Sequence, residues 1–127
     1  MDSKIQIVDK KIQEMESLLR KPLDALVYPN RRAFDLGRKI LMLMRENELE
    51  KVYFWSLWQG GLAICFFRRK GEYYAAIYCN NDGSTAALLS REGATGCTET
   101  VSHWVVYPEE RSITDTLVKF NAFFDGI

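Results

Sequence analysis

The sequence predicts an α+β fold: two N-terminal helices, a five-stranded antiparallel β-meander, and a C-terminal helix packed on the sheet. Three observations predict it. Apolar residues recur at alternating spacings of three and four near both ends of the chain, the period of one helix face. Between those ends the period shortens to that of strands, with aromatic and β-branched residues separated by glycine-containing turn signals. No helical pattern interrupts the strands, so neighbours in sequence pair as antiparallel hairpins.

Ser3 with Gln6 reads as a capping box, and Ile5, Val8, Ile12, Met15 and Leu19 share one stripe. This predicts a first helix from about Lys4 to Arg20, stopped before Pro22. Its stripe covers little more than two heptads and would serve packing on its own domain as well as a dimer zipper. After "KPLDALVYP", Asn30 is a cap for a second helix over Arg31 to Asn47, with Phe34, Gly37, Ile40, Leu41 and Met44 on its buried side. The strands are "KVYFWSLW", "LAICFFR", "EYYAAIYC", "STAALLS" and "TETVSHWVVY". Ser112 and Asp115 mark a third helix start, Ile113, Leu117, Phe120 and Phe124 form its stripe, and Gly126 ends it.

Turn chemistry predicts the register. Two-residue turns at Lys70-Gly71 and Asp82-Gly83 pair Arg69 with Glu72 and Asn81 with Ser84. One face then carries Leu62, Ile64, Phe66, Tyr73, Ala75, Ile77, Cys79, Ala86 and Leu88. The other carries Ala63, Cys65, Phe67, Tyr74, Ala76, Tyr78, Ala87 and Leu89. Neither face is polar, and a slip of one residue leaves both apolar, so the second face requires a cover: a helix, a second protomer or a ligand.

Composition narrows the function classes. A chain of 127 residues with 47% hydrophobic and 27% charged residues is expected to form a single domain, residues 1–127, of ordinary type. The 17 basic residues equal the 17 acidic ones, so no global field draws the chain to nucleic acid, and the basic clusters around Arg31 and Arg68 read as solvated surface. The start "MDSKIQIVDKK" lacks a signal-peptide pattern and no window reaches a membrane span, which makes a cytoplasmic location the expectation. Three cysteines without C-x-x-C imply reduced thiols.

No motif fixes a reaction, and no catalytic residue, metal or cofactor is assigned. In "YCNNDGSTAA", aligning Gly83 with the invariant glycine of a calcium loop puts Tyr78 and Leu89 where carboxylates are needed, so the stretch reads as a hairpin tip. Cys65, Cys79, Cys97 and His103 lack the close pair spacing of zinc ligands, and Cys65 and Cys79 point to opposite faces. Cys97 and His103, six residues apart, would lie about 20 Å apart on one straight strand, out of reach for a thiol–base pair. Neither G-x-S-x-G nor a phosphate loop occurs.

The aromatic residues of the strands are the informative excess. Trp55, Trp58, Phe67, Tyr74, Tyr78 and His103 are the candidates for an interface or a ligand pocket. The run "WQGGLAICFFRRKGEYYAAIYCNNDGSTAALLS" followed by "SITDTLVKFNAFF" resembles the small, uncharacterised bacterial proteins carried on phages, integron cassettes and other mobile elements. The likeness spans Trp58 to Phe124 and implies a sheet-plus-helix fold, with "WQGG" and "NDG" matching as turns. It implies no activity. The expectation is a non-enzymatic interaction module acting on a protein partner, homodimeric through the second sheet face or the first helix. The alternative is a small-molecule binder or enzyme with an aromatic pocket between sheet and helices.

Overall fold

The computed structural model describes residues 3–18, 29–57 and 59–127. The expectations placed on the Ser3 side chain, on residues 19–22 and on Trp58 lie outside the described residues.

Helix α1 runs Ser3–Ser17 and turns Met15 into the core, with Val8 and Ile12 half-buried beside it. Ile5, the first member of the predicted stripe, stays exposed. Helix α2, Arg31–Leu43, begins as the sequence indicates: the Asn30 side chain accepts from the Ala33 amide at 3.0 Å, and Phe34, Gly37, Ile40 and Leu41 are buried. Gly37 is where α1, α2 and the sheet come closest, since a Cβ there would lie 2.8 Å from both Leu62 Cδ2 and Met15 Sδ.

The second helix does not reach Asn47. Met44 and Arg45 are extended, and a separate short helix α3 follows over Glu46–Leu49. The Glu48 carboxylate accepts from the Arg45 amide at 2.7 Å and the amide of Asn121 at 2.9 Å. This break turns the chain so that Met44, Leu49 and Val52 all enter the core, which a straight helix would not permit.

Five strands follow: β1 Tyr53–Ser56, β2 Gly61–Arg68, β3 Tyr73–Asn80, β4 Thr85–Glu92 and β5 Thr98–Val105. They form one antiparallel sheet in sequence order, as predicted. At the β2–β3 hairpin the pairing of Arg68 with Tyr73 matches the expected register, but the loop holds four residues, Arg69 to Glu72, with Arg69 and Lys70 at positive φ.

At the β3–β4 hairpin the expected register is wrong by one. The loop is the three-residue Asn81-Asp82-Gly83, closed by Asn80 and Ser84, with the Gly83 amide donating to the Asn80 carbonyl at 3.0 Å and Gly83 at φ 92°. That is a type I turn followed by a left-handed glycine, which adds one residue to the two-residue turn assumed from sequence. Because side chains alternate, the shift transfers the whole of β4 to the opposite face: Ala87 and Leu89 join the helix side, Ala86 and Leu88 the other.

Helix α4, Glu110–Asp125, starts two residues before the predicted cap. Ser112 instead accepts from the Tyr107 amide at 2.9 Å, while Ile113, Thr116, Leu117 and Phe120 are buried against the sheet. All four helices pack on one sheet face, in a core that joins Met15, Ile40 and Leu41 to Leu62, Ile64, Ile77, Ile113 and Phe120. Among the described residues no helix is long and apolar enough to cross a membrane.

Candidate functional site: the open sheet face

The opposite face has no helix over it among the described residues. Its side chains follow from the register in three rows across the sheet. The first runs Trp55, Ala63, Tyr78, Ala86, Val105; the second Tyr53, Cys65, Ala76, Leu88, His103; the third Phe67, Tyr74, Ser90, Thr100. The centre is built from small residues. Ala63, Cys65 and Ala76 are fully buried because Leu57, Phe67, Tyr74 and Tyr78 fold over them. Large side chains thus lie across small ones and form a platform instead of a pleated ridge.

An aromatic chain crosses that platform. Ring centroids are 5.9 Å apart for Tyr53 and Phe67, 5.5 Å for Trp55 and Phe67, and 5.0 Å for Phe67 and Tyr74, all in edge or tilted contact. Tyr53 remains 57% exposed and Trp55 43%, so the chain ends in solvent at the β1 edge. The Tyr74 hydroxyl lies 3.3 Å from both the Cys65 sulfur and the Tyr78 hydroxyl and bridges the two.

These groups are not poised for acid–base or nucleophilic work. Burial pushes the Cys65 thiol up to about 11, against a smaller opposing effect of its bond to Tyr74. Burial also raises the Tyr74 phenol, and the bonds to Cys65 and Tyr78 raise it further. Cys79, on the helix side of the sheet, is pushed up to about 12 by burial. His103 is exposed on the edge strand opposite Leu88, three strands from Cys65, a separation of about 14 Å at ordinary strand spacing. Cys97 is exposed in the loop after β4. The structure therefore brings no thiol and imidazole together, and among the described residues no three His, Cys, Asp or Glu side chains converge on a metal position.

Of the residues singled out from sequence, Trp55, Phe67, Tyr74, Tyr78 and His103 do share one face. They face away from the helices and line no space between helices and sheet. Sequence reasoning missed Leu88 and Ser90 as members, because the slipped register had placed β4 the wrong way round. Reading "NDG" as a three-residue loop would have found them.

The "YCNNDGSTAA" tip itself is locked into the scaffold. The Asp82 carboxylate accepts from the Ser84 amide at 2.8 Å and the Ser84 hydroxyl at 2.6 Å, bonds that hold it below the usual carboxylate range. The Asp82 carbonyl takes a bond from Arg32 at 2.8 Å. No family model matches this sequence, and no curated protein or solved structure was found similar to it.

Proposed function

We propose that the protein is a non-enzymatic interaction module that joins a second copy of itself through the open sheet face. The observation that carries this reading is an apolar, aromatic face with no cover among the described residues and with Tyr53 and Trp55 in solvent. Proteins seldom leave such a surface without a partner.

Chemistry and size favour a second copy as the cover. The three rows carry no Asp, Glu, Lys or Arg, so no fixed like charges on them oppose two copies. Five strands at about 4.8 Å and three rows at about 6.6 Å give a footprint near 500 Å², which side-chain relief raises toward the ~800 Å² per partner of a standard interface. The exposed aromatic residues supply the type of anchor on which interface energy concentrates. The hairpin pattern that resembles mobile-element proteins suits a small self-contained module and implies no activity.

Sedimentation over a micromolar concentration series tests this. The expected result is a reversible dimer that Trp55→Glu converts to a monomer with an unchanged far-ultraviolet spectrum. A wild-type monomer at every concentration sinks the reading.

A further inference from the structure

At the end of the aromatic rows, where the β2–β3 and β4–β5 loops close the sheet, the open face holds a cavity of about 520 Å³. Its floor is Phe67, Tyr74 and Tyr78, its wall carries the hydroxyls of Ser90, Thr98 and Thr100, and Glu72 and Glu92 stand at its rim. We propose that this cavity binds a small organic cation: a protonated amine on an aromatic or apolar body.

Four observations point that way. Ser90, 2% exposed, lines the cavity beside Thr98 and Thr100. Hydroxyls that line a cavity offer both a donor and an acceptor to a bound molecule. The floor offers aromatic faces, whose negative quadrupole attracts cations.

The rim carries two carboxylates, Glu72 and Glu92, against one guanidinium, Arg91. The Glu92 amide donates to the Glu72 carbonyl at 2.8 Å, which holds the two residues side by side on adjoining strands. Neither carboxylate has an ion-pair partner among the described residues. Arg91 also borders the cavity, but its guanidinium lies 3.7 Å from Glu99. Arg68 and Arg69 rest over Phe124 and Tyr73, rings that belong to the helix side. Lastly, the volume lies within the usual range for small-molecule sites, roughly 300–1,000 Å³.

The cavity shares Phe67, Tyr74, Tyr78 and Ser90 with the face proposed to self-associate, so a ligand there competes with a second copy, and different variants separate the two. Benzylamine, benzyl alcohol and benzoate are titrated into the ¹⁵N-labelled chain while the amide signals of Ser90, Thr98 and Thr100 are followed. Benzylamine is expected to shift all three with millimolar or tighter affinity, benzyl alcohol more weakly, and benzoate not at all. Two exposed carboxylates give up to about a tenfold contribution together, so the double variant Glu72→Gln with Glu92→Gln should weaken benzylamine by that factor. Its sedimentation should match the wild type, whereas Trp55→Glu should alter sedimentation and leave the benzylamine shifts in place. Equal binding of benzyl alcohol and benzylamine, an unchanged affinity in the double variant, or no shift of those three signals overturns the proposal.

Discussion

Asn30 donates two hydrogen bonds to Asn81, 51 positions away: its backbone amide to Asn81 Oδ1 at 2.8 Å, and its Nδ2 to the Asn81 carbonyl at 2.9 Å. The same Asn30 side chain caps α2 through Ala33. One residue thus starts a helix and latches it to the hairpin that sets the register of the open face.

Substitution of this residue should separate the two roles. Asn30→Ala, losing the cap and the side-chain bond of the latch, is expected to lower stability by about 1–2 kcal/mol, whereas Asn30→Asp, which keeps an acceptor for Ala33, should lose less than half of that. Urea unfolding measures both. Equal losses for Ala and Asp would show that the latch and not the cap carries the energy.

Thr85 is the opposite case, a polar group without a use. Its residue is 4% exposed and its hydroxyl has no partner among the described residues. Valine has nearly the same shape and removes an unpaired buried hydroxyl, so Thr85→Val should raise stability by about 1 kcal/mol. A lower midpoint in thermal unfolding would mean that the hydroxyl is satisfied.

The cysteines should differ sharply in reactivity. Cys97 is exposed, whereas Cys65 and Cys79 are buried with thiols raised to about 11 and about 12. At pH 8 a thiol-specific reagent should modify Cys97 rapidly and the other two on the time scale of unfolding, because the thiolate is the nucleophile. The sign for stability follows from the same shifts. A thiol that is harder to ionise in the folded state contributes stability in full below the ordinary value of about 8.5, and that contribution is lost as pH rises toward 11 and 12. Alkaline unfolding should therefore set in above about pH 9, and Cys79→Ala should make it shallower. A midpoint that does not change between pH 8 and pH 11 would contradict the assignment.

Much of this architecture was legible in the sequence, for identifiable reasons. Helix α4 and the five strands announce themselves through period and turn residues, and those signals are local. The break at Met44–Arg45 was not legible, because no glycine or proline marks it; it is set by the need of Leu49 and Val52 for the core, which is tertiary. The site was half legible. Trp55, Phe67, Tyr74 and Tyr78 fall on one face in any register that keeps β1, β2 and β3 aligned, but Leu88 and Ser90 depend on a single residue in the "NDG" turn. Glu72 and Glu92 were invisible as a pair until the strands were laid side by side.

The sequence-ordered meander has a kinetic consequence. Every strand pairs with its neighbour in the chain, so each closure spans a short loop, and the hairpins β2–β3 and β3–β4 can zip before any helix docks. Helices α1, α2 and α3 precede the strands in the chain and α4 follows them, and all pack on the same side of the sheet. The aromatic side needs none of these helices, so it is expected to face outward in a closed hairpin as well as in the finished sheet.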